Sequence, residues 1–241
     1  MLDFIMTNFK LVFVKLIVFL LVTIPTSTIS VAAPNYNPPS TGRQDEESIS
    51  SGSRGCDNSK LATFQLIVPK DHVGRTIKSH PTFMWYLYGK ADVPMQLILQ
   101  DPKAHKLIFK TRIESNYPGV VALSLPSNTP GLEYGRKYNW TVSLICSERH
   151  PSRNSYASAD IERIKIGNIS VSPQEMRSST YAELGLWYDA IAASCRQIKS
   201  GSCLASRDFN SLLAQVGLTD ILSLKVQPLQ RVGSTDHKPG K

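Results

Sequence analysis

Four cysteines carry the most definite chemistry in this chain, and they lie at Cys56, Cys146, Cys195 and Cys203. Four cysteines allow three pairings. Cys195 and Cys203 flank Gly201, where a predicted helix ends and the chain reverses, so we expect a short local bridge there. Cys56 and Cys146 begin and end the most strand-like part of the chain, and we expect them to form the second bridge. The four spacings lack the paired CxxC pattern of structural zinc sites.

The side chains that enzymes use for acid–base or nucleophilic chemistry are scattered along the sequence. The histidines lie singly in predicted turns, without an HExxH motif or a paired ligand spacing; they are His72, His80, His105, His150 and His237. The sequence contains no GxSxG elbow and no glycine-rich phosphate loop. We therefore expect no catalytic residues, no cofactor and no metal. The alternative is an envelope hydrolase or glycan-processing enzyme, which would have to bring together carboxylates such as Asp101, Glu133 and Asp160.

Binding is the other class of function that the sequence suggests. The net charge is +8, and residues 54–166 hold 16 Lys and Arg against 9 Asp and Glu. A basic surface attracts anionic glycans or acidic envelope proteins, and no nucleic-acid recognition motif is present. The densest basic group comprises Lys103, Lys106, Lys110 and Arg112, and we expect a solvated hairpin there whose like charges keep an edge strand from aggregating. The alternative is that this group docks to an anionic envelope polymer.

Two aromatic clusters are further candidates. Tyr86 and Tyr88 share one face of a predicted strand, and we expect the helices to cover that face. The alternative is an uncovered face on which the two tyrosines bind a glycan or a partner protein. Trp187 and Tyr188 lie on the apolar stripe of a predicted helix, where core packing is expected and a recognition groove is the alternative.

Residues 1–32 are typical of an export signal, with Lys10 and Lys15 around an apolar run at 16–24 and small residues before the expected cut. The apolar run is well short of the about 20 residues of a membrane-spanning helix, so cleavage is expected and an uncleaved anchor is the alternative. No later segment is apolar enough to span a bilayer. Residues 33–53 contain almost no large apolar side chain, which predicts a flexible linker.

Residues 54–168 are predicted to form an immunoglobulin-like or fibronectin-like antiparallel β-sandwich, because six or seven short apolar runs alternate with turns. In the clearest strand, Tyr138 to Cys146, alternate residues are apolar, and Leu132 and Gly135 precede Tyr138 as in a tyrosine corner. The last strand is placed at 159–166.

Residues 169–227 are predicted to be helical and to pack on or beside the sandwich. Ser172-Pro-Gln-Glu175 is a capping box, and it is followed by an apolar face that continues for about seven turns and is interrupted only mildly by Gly185. Ser206 is expected to cap a second helix, with either a continuation or a short third helix at 218–226. Residues 228–241 are predicted to be a disordered tail.

Together these features resemble a cyanobacterial family of exported proteins, domain-of-unknown-function family 928. The resemblance covers about residues 54–200 and rests on Arg54-Gly-Cys56, Leu66-Ile-Val-Pro69, His80-Pro-Thr-Phe83 with Trp85-Tyr86, the block from Leu125 to Cys146, and Leu184-Gly-Leu-Trp-Tyr-Asp-Ala190. It implies a periplasmic or surface location and a sandwich with helices, and it supplies no activity. We therefore predict a periplasmic or extracellular binding or accessory protein of the cell envelope.

Overall fold

The computed structural model describes residues 33–40, 63–114, 117–167, 176–196, 203–224 and 230–232. Within these residues the chain is mainly β, with two mixed sheets followed by short helices, all in one compact unit, Ala33–Lys241. The strands are β1 (Phe64–Leu66), β2 (Gly74–Thr76), β3 (Thr82–Leu87), β4 (Met95–Asp101), β5 (Lys106–Ile113), β6 (Gly119–Ser124), β7 (Arg136–Leu144), β8 (Ser155–Arg163) and β9 (Gln230–Arg231). The predicted leader, Cys56 and the capping box at 172–175 lie outside the described residues.

The first sheet has the order β1-β3-β6-β9 and is buried on both faces. Phe83 and Trp85 of β3 are buried on one face, and Met84 and Tyr86 are buried on the other. Such two-sided burial agrees with the unbroken apolar run of β3, which does not alternate with polar residues. β9 pairs in parallel with β6, so the prediction of disorder from residue 228 onward is wrong for Gln230–Arg231.

The second sheet has the order β2-β8-β7-β4-β5, with one parallel pair, β2–β8. β7 places Tyr138, Trp140 and Val142 in the core, while its intervening residues point outward, as its alternating pattern predicts. The core joins the two sheets, since the ring of Phe83 lies 4.9 Å from that of Trp140. The Tyr138 hydroxyl accepts a hydrogen bond from the Glu133 backbone N–H at 2.9 Å, which is the contact expected of a tyrosine corner.

The helices are α1 (Ser178–Glu183), α2 (Trp187–Arg196), α3 (Arg207–Gln215) and α4 (Thr219–Leu222). The prediction of one long helix through Gly185 is wrong, because this glycine has a φ of +70° and ends α1. The Gly185 N–H donates to Ala182 O and the Leu186 N–H donates to Tyr181 O, which together form a Schellman motif. The apolar period continues across the break because α1 and α2 both pack on the same core.

The second helix and the local disulfide bridge are confirmed. The Ser206 side chain accepts a hydrogen bond from the Phe209 N–H and caps α3. Cys195 and Cys203 are bridged, with their Cα atoms 5.0 Å apart. Cys146 is also disulfide-bonded, but Cys56 is outside the described residues, so the Cys56–Cys146 pairing stays a prediction.

Residues 33–40, called the N-terminal strap below, contradict the linker prediction for their part of the chain. Tyr36 is only 7% exposed. The Asn37 N–H donates to Ala182 O at the end of α1, and the Tyr36 N–H donates to the Gln215 side chain of α3. The composition of the whole polar segment predicts a linker because Tyr36 is one large side chain among many polar ones. Its burial holds the strap on the helices.

None of the helices in the described segments is long and apolar enough to cross a membrane.

Candidate functional site

The outer face of the second sheet carries rows of polar side chains, and we call it the polar face. Its side chains point away from the Phe83–Trp140 core and are aligned by cross-strand pairing into rows. The first row is Tyr156, Ser143, Gln96 and Arg112; the second is Ser158, Thr141, Ile98 and Lys110; the third is Asp160, Asn139, Gln100 and Leu107.

The second and third rows are held by hydrogen bonds among their own side chains. The hydroxyls of Thr141 and Ser158 are 2.8 Å apart, and the Asn139 amide donates to Asp160 Oδ1 at 3.1 Å. Lys137 Nζ lies 3.7 Å from Asp160 Oδ2. These contacts fix the side-chain orientations at the centre of the face. A ligand that binds there would therefore immobilise few further side chains, and the entropy cost of binding would be small.

The first row differs because its polar groups are open. Tyr156 is 55% exposed and Arg112 is exposed, while Ser143 and Gln96 between them are half-buried. In the parts of the chain that the structure describes, the side chains of Tyr156, Ser143 and Gln96 have no hydrogen-bond partner. Arg112 Nη1 donates to Glu148 Oε1 at 2.7 Å. This row therefore offers a ligand an aromatic ring, a hydroxyl, an amide and a guanidinium in line.

The basic group predicted from the sequence is divided by a β-bulge in β5. The register shifts between Leu99 and Gln100, so Gln100 pairs with Leu107 and Asp101 with Lys106. Lys110 and Arg112 lie on the polar face, whereas Lys103 and Lys106 lie at the hairpin end of the sheet. Because of the bulge, Leu107 faces outward beside Gln100, and its side chain is 56% exposed.

Tyr86 and Tyr88 are not part of an open aromatic surface. Tyr86 is 3% exposed, and the Tyr88 hydroxyl donates to Gln65 Oε1 at 2.6 Å. Burial raises the pKa of Tyr88 to about 12, and the nearby Asp220 carboxylate adds to that effect. The face is thus covered at Tyr86 and half-covered at Tyr88, which agrees with the expected packing and leaves no open aromatic pair there.

Trp187 and Tyr188 are core anchors of α2, as the expected packing requires. The Trp187 indole donates to Ile67 O at 3.0 Å. The Tyr188 hydroxyl accepts from the Trp140 indole at 2.8 Å and donates to the backbone carbonyl of Asp160 at 3.1 Å. Burial raises the pKa of Tyr188. These bonds join α2 to the strand that carries the centre of the polar face.

The carboxylates that sequence analysis considered for catalysis are in ion pairs. Arg136 Nη1 lies 2.9 Å from Asp101 Oδ2 and 3.3 Å from Glu133 Oε2, and these neighbours raise the pKa of the guanidinium. Asp101 Oδ1 also accepts from the Ala104 N–H, which closes the β4–β5 turn. One guanidinium thus pairs with both carboxylates, and Asp160 belongs to the hydrogen-bonded rows instead.

Asp71, His72 and Tyr36 form a chain of polar contacts that resembles a catalytic arrangement. His72 Nδ1 lies 2.7 Å from Asp71 Oδ1, and His72 Nε2 lies 2.7 Å from the Tyr36 hydroxyl. Burial, with the Asp71 charge, raises the pKa of Tyr36, and the Tyr36 ring packs against Trp187. A buried, poorly ionised hydroxyl facing the core is not a nucleophile. These contacts hold the strap on the core, and His72 is buried.

Asp189 on α2 is a fully buried carboxylate, at 1% exposed. Its Oδ2 accepts from the Ile77 N–H at 3.0 Å, and Lys78 Nζ lies 3.6 Å from Oδ1. Burial raises the pKa of Asp189, while Lys78 opposes that shift. The pair ties the β2–β3 connection to α2.

A cavity of about 260 Å³ adjoins the Arg112 end of the first row and is lined by residues 90–94, Arg112 and Glu114. Lys90 Nζ and Asp92 Oδ1 are 3.4 Å apart, so these two charges of the lining pair with each other. No cluster of metal-ligating side chains occurs among the described residues.

Sequence analysis missed the open row because it placed the last strand at 159–166 instead of Ser155–Arg163. Tyr156 was thereby assigned to a polar loop. The signal was nevertheless present: Tyr156, Ser158 and Asp160 alternate with the small or apolar residues Ala157, Ala159 and Ile161.

The family model described as Domain of Unknown Function (DUF928) matches residues 49–226. No curated protein matches the chain.

Proposed function

Since the chain belongs to the family Domain of Unknown Function (DUF928), whose description assigns no activity, we propose a function from the geometry. The protein is a non-catalytic binding module of the cell envelope, and its polar face holds an anionic glycan. The observation that carries this function is the position of Lys110 and Arg112, both exposed, at the edge of an organised face of hydroxyl and amide side chains.

A glycan fits this surface better than a protein partner. Protein interfaces have a core enriched in aromatic and apolar side chains, whereas in the rows of the polar face Tyr156 lies apart from the two aliphatic side chains, Ile98 and Leu107. Sugars present many hydroxyls, and the face presents side chains that both donate and accept. Lys110 and Arg112 add attraction for acidic groups on the polymer.

An enzymatic role receives no support from the described carboxylates. Asp101 and Glu133 share Arg136, and Asp160 is bonded to Asn139. A glycoside hydrolase of the usual kind needs a carboxylic acid that can donate its proton and a second carboxylate that faces the same substrate.

We also propose that the protein is exported, to the periplasm or the cell surface, and is of the cyanobacterial type that its sequence resembles. The bridge between Cys195 and Cys203 supports this, because structural disulfides persist in oxidising compartments. The leader-like composition of residues 1–32 points the same way.

For the fold type, we propose an immunoglobulin-like sandwich. The spatial order β1-β3-β6 agrees with strands A-B-E, and β8-β7-β4-β5 agrees with G-F-C-C′. The Tyr138–Glu133 hydrogen bond at the start of β7 supports the same assignment. The parallel neighbours β2 and β9 are additions to that pattern.

The test is binding of the purified protein to polygalacturonate, a linear polymer of carboxylated sugars, with neutral dextran as the comparison. The variant Lys110→Ala/Arg112→Ala removes two charges from the polar face. The matched control, Arg177→Ala/Arg207→Ala, removes two exposed charges from α1 and α3 and leaves the same net charge.

We expect binding to polygalacturonate that weakens at high salt. The face variant should lose at least about tenfold in affinity, and the control should bind as the parent does. Equal losses in both variants would mean that only net charge matters, which overturns the assignment. Equal binding to dextran, no binding to polygalacturonate, or capture of an acidic envelope protein without any polysaccharide affinity would also overturn it.

A further inference from the structure

Resting on the function proposed above, we infer that the first row of the polar face binds a carboxylated oligosaccharide lying across the strands. One sugar ring stacks on Tyr156, the next units contact Ser143 and Gln96, and a carboxylate meets Arg112. This site defines the chemical class of the ligand, its minimum length and its direction.

The register sets the length. Tyr156 pairs with Ser143, Ser143 with Gln96, and Gln96 with Arg112. Neighbouring strands lie about 4.8 Å apart, so three spacings separate the two ends of the row by about 14 Å, or about three sugar units in an extended chain. A ligand that reaches both ends therefore needs at least about three to four units.

The hydrogen bonding selects this row over its neighbours. In the second and third rows the polar side chains already bond each other, Thr141 to Ser158 and Asn139 to Asp160. In the described segments the polar groups of Ser143, Gln96 and Tyr156 have no such partner. A ligand hydroxyl bonded to Ser143 or Gln96 replaces water and breaks no bond within the protein.

The two ends of the row give the ligand its direction. Tyr156 is 55% exposed, and its ring offers an apolar surface on which the C–H face of a sugar can stack. At the other end the Arg112 guanidinium can form a charge-assisted hydrogen bond with a ligand carboxylate in place of the one to Glu148. The Glu148 carboxylate, 71% exposed, already lies 2.7 Å from Arg112 Nη1. This contact shows that the Arg112 guanidinium can bind a carboxylate. Glu148 therefore competes with the ligand for Arg112.

The first test measures affinity for oligogalacturonates from the dimer to the hexamer. In the parent protein affinity should rise up to about the tetramer and then level off. Tyr156→Ala should weaken tetramer binding about tenfold and leave the dimer, held at Arg112, unchanged. Tyr156→Phe keeps the ring and should retain most of the affinity. Tyr117→Ala, which removes a tyrosine that is 71% exposed before β6, is the matched control.

The second test removes the competitor. Glu148→Gln should tighten tetramer binding about threefold, because an exposed ion pair that the ligand must displace is weak but measurable. Glu114→Gln removes a charge that lies near Arg112 in the adjoining cavity but is not paired with it, and it serves as the control for net charge. A smaller gain in this control is expected.

The outcomes separate the two proposals. If polygalacturonate does not bind at all, both the function and this site are wrong. If the polymer binds and requires Lys110 and Arg112, but Tyr156→Ala weakens dimer and tetramer equally or not at all, only the site is wrong. Affinity that is independent of length, or Glu148→Gln binding no better than Glu114→Gln, also overturns the site.

Discussion

The N-terminal strap is expected to be part of the folded core, and Tyr36 is the residue that tests it. The side chain is 7% exposed, its ring lies 5.2 Å from that of Trp187, and its hydroxyl bonds His72. Truncation to alanine removes the ring from a packed site and leaves a cavity. By comparison with other large-to-small core substitutions, we expect Tyr36→Ala to lower the free energy of unfolding by about 3–4 kcal/mol.

Tyr36→Phe separates the hydrogen bond from the ring. This variant keeps the packing on Trp187 but leaves His72 Nε2 without its partner. We expect a loss of about 1–2 kcal/mol, the usual cost of an unsatisfied buried polar group. The difference between the two variants then gives the contribution of the ring alone.

The assay is urea unfolding of the purified, oxidised protein, followed by tryptophan fluorescence. Tyr117→Ala is the control, since Tyr117 is 71% exposed, and it should change stability by less than about 0.5 kcal/mol. A loss below about 1 kcal/mol for Tyr36→Ala would refute the reasoning, because a strap that cost so little to release could not be packed as described.

Three further predictions follow from single contacts. Gly185→Ala should destabilise more than Gly135→Ala, although both glycines have a positive φ, +70° and +72°. The reason is that an added Cβ at Gly185 would lie 2.7 Å from Asn37 O, whereas nothing lies within 4 Å of one at Gly135. Equal losses of thermal stability in the two variants would mean that the strap does not contact Gly185. Cys195→Ala/Cys203→Ala should lose about 2.5 kcal/mol by loop-closure entropy in urea unfolding, and reductant should not destabilise this variant further through that bridge; an unchanged midpoint would contradict this. For Asp189, burial raises the pKa of the carboxyl in the folded state, so the folded state binds this proton more tightly than the unfolded state does. The free energy of unfolding of the parent should therefore fall as pH rises from about 4 through the folded-state pKa, and Asp189→Asn should become more stable relative to the parent over the same pH range. A stability difference between the two proteins that is constant with pH would refute this prediction.

The sequence predicts those elements whose pattern is local and strong. β7 alternates over nine residues, and α3 has both a serine cap and an apolar face, so each follows from its own residues. The bridge from Cys195 to Cys203 is predictable for the same reason, because only eight positions separate the two residues.

Features that depend on distant contacts are not predictable in this way. The strap is held by Gln215 and His72, which lie far from it in sequence. The bulge in β5 arises where Gln100 meets Leu107 and moves Lys106 off the polar face, although the strand pattern alone places Leu107 in the core. Gly185 ends a helix only because the backbone adopts positive φ there, which an apolar period cannot reveal.

The location of the polar face nevertheless follows from a contrast between two strands. β3 is apolar at successive positions, so both of its faces must be buried, and Met84 and Tyr86 are indeed covered. β8 alternates Tyr156, Ser158 and Asp160 with small or apolar residues, so only one of its faces can belong to the apolar core. If one sheet is covered on both sides and the other on one, the outer face of the second sheet is where a rigid array of strand side chains meets solvent. Exposed polar side chains on strands are held more firmly than those on loops, and a binding row built there loses less entropy when it takes up a ligand.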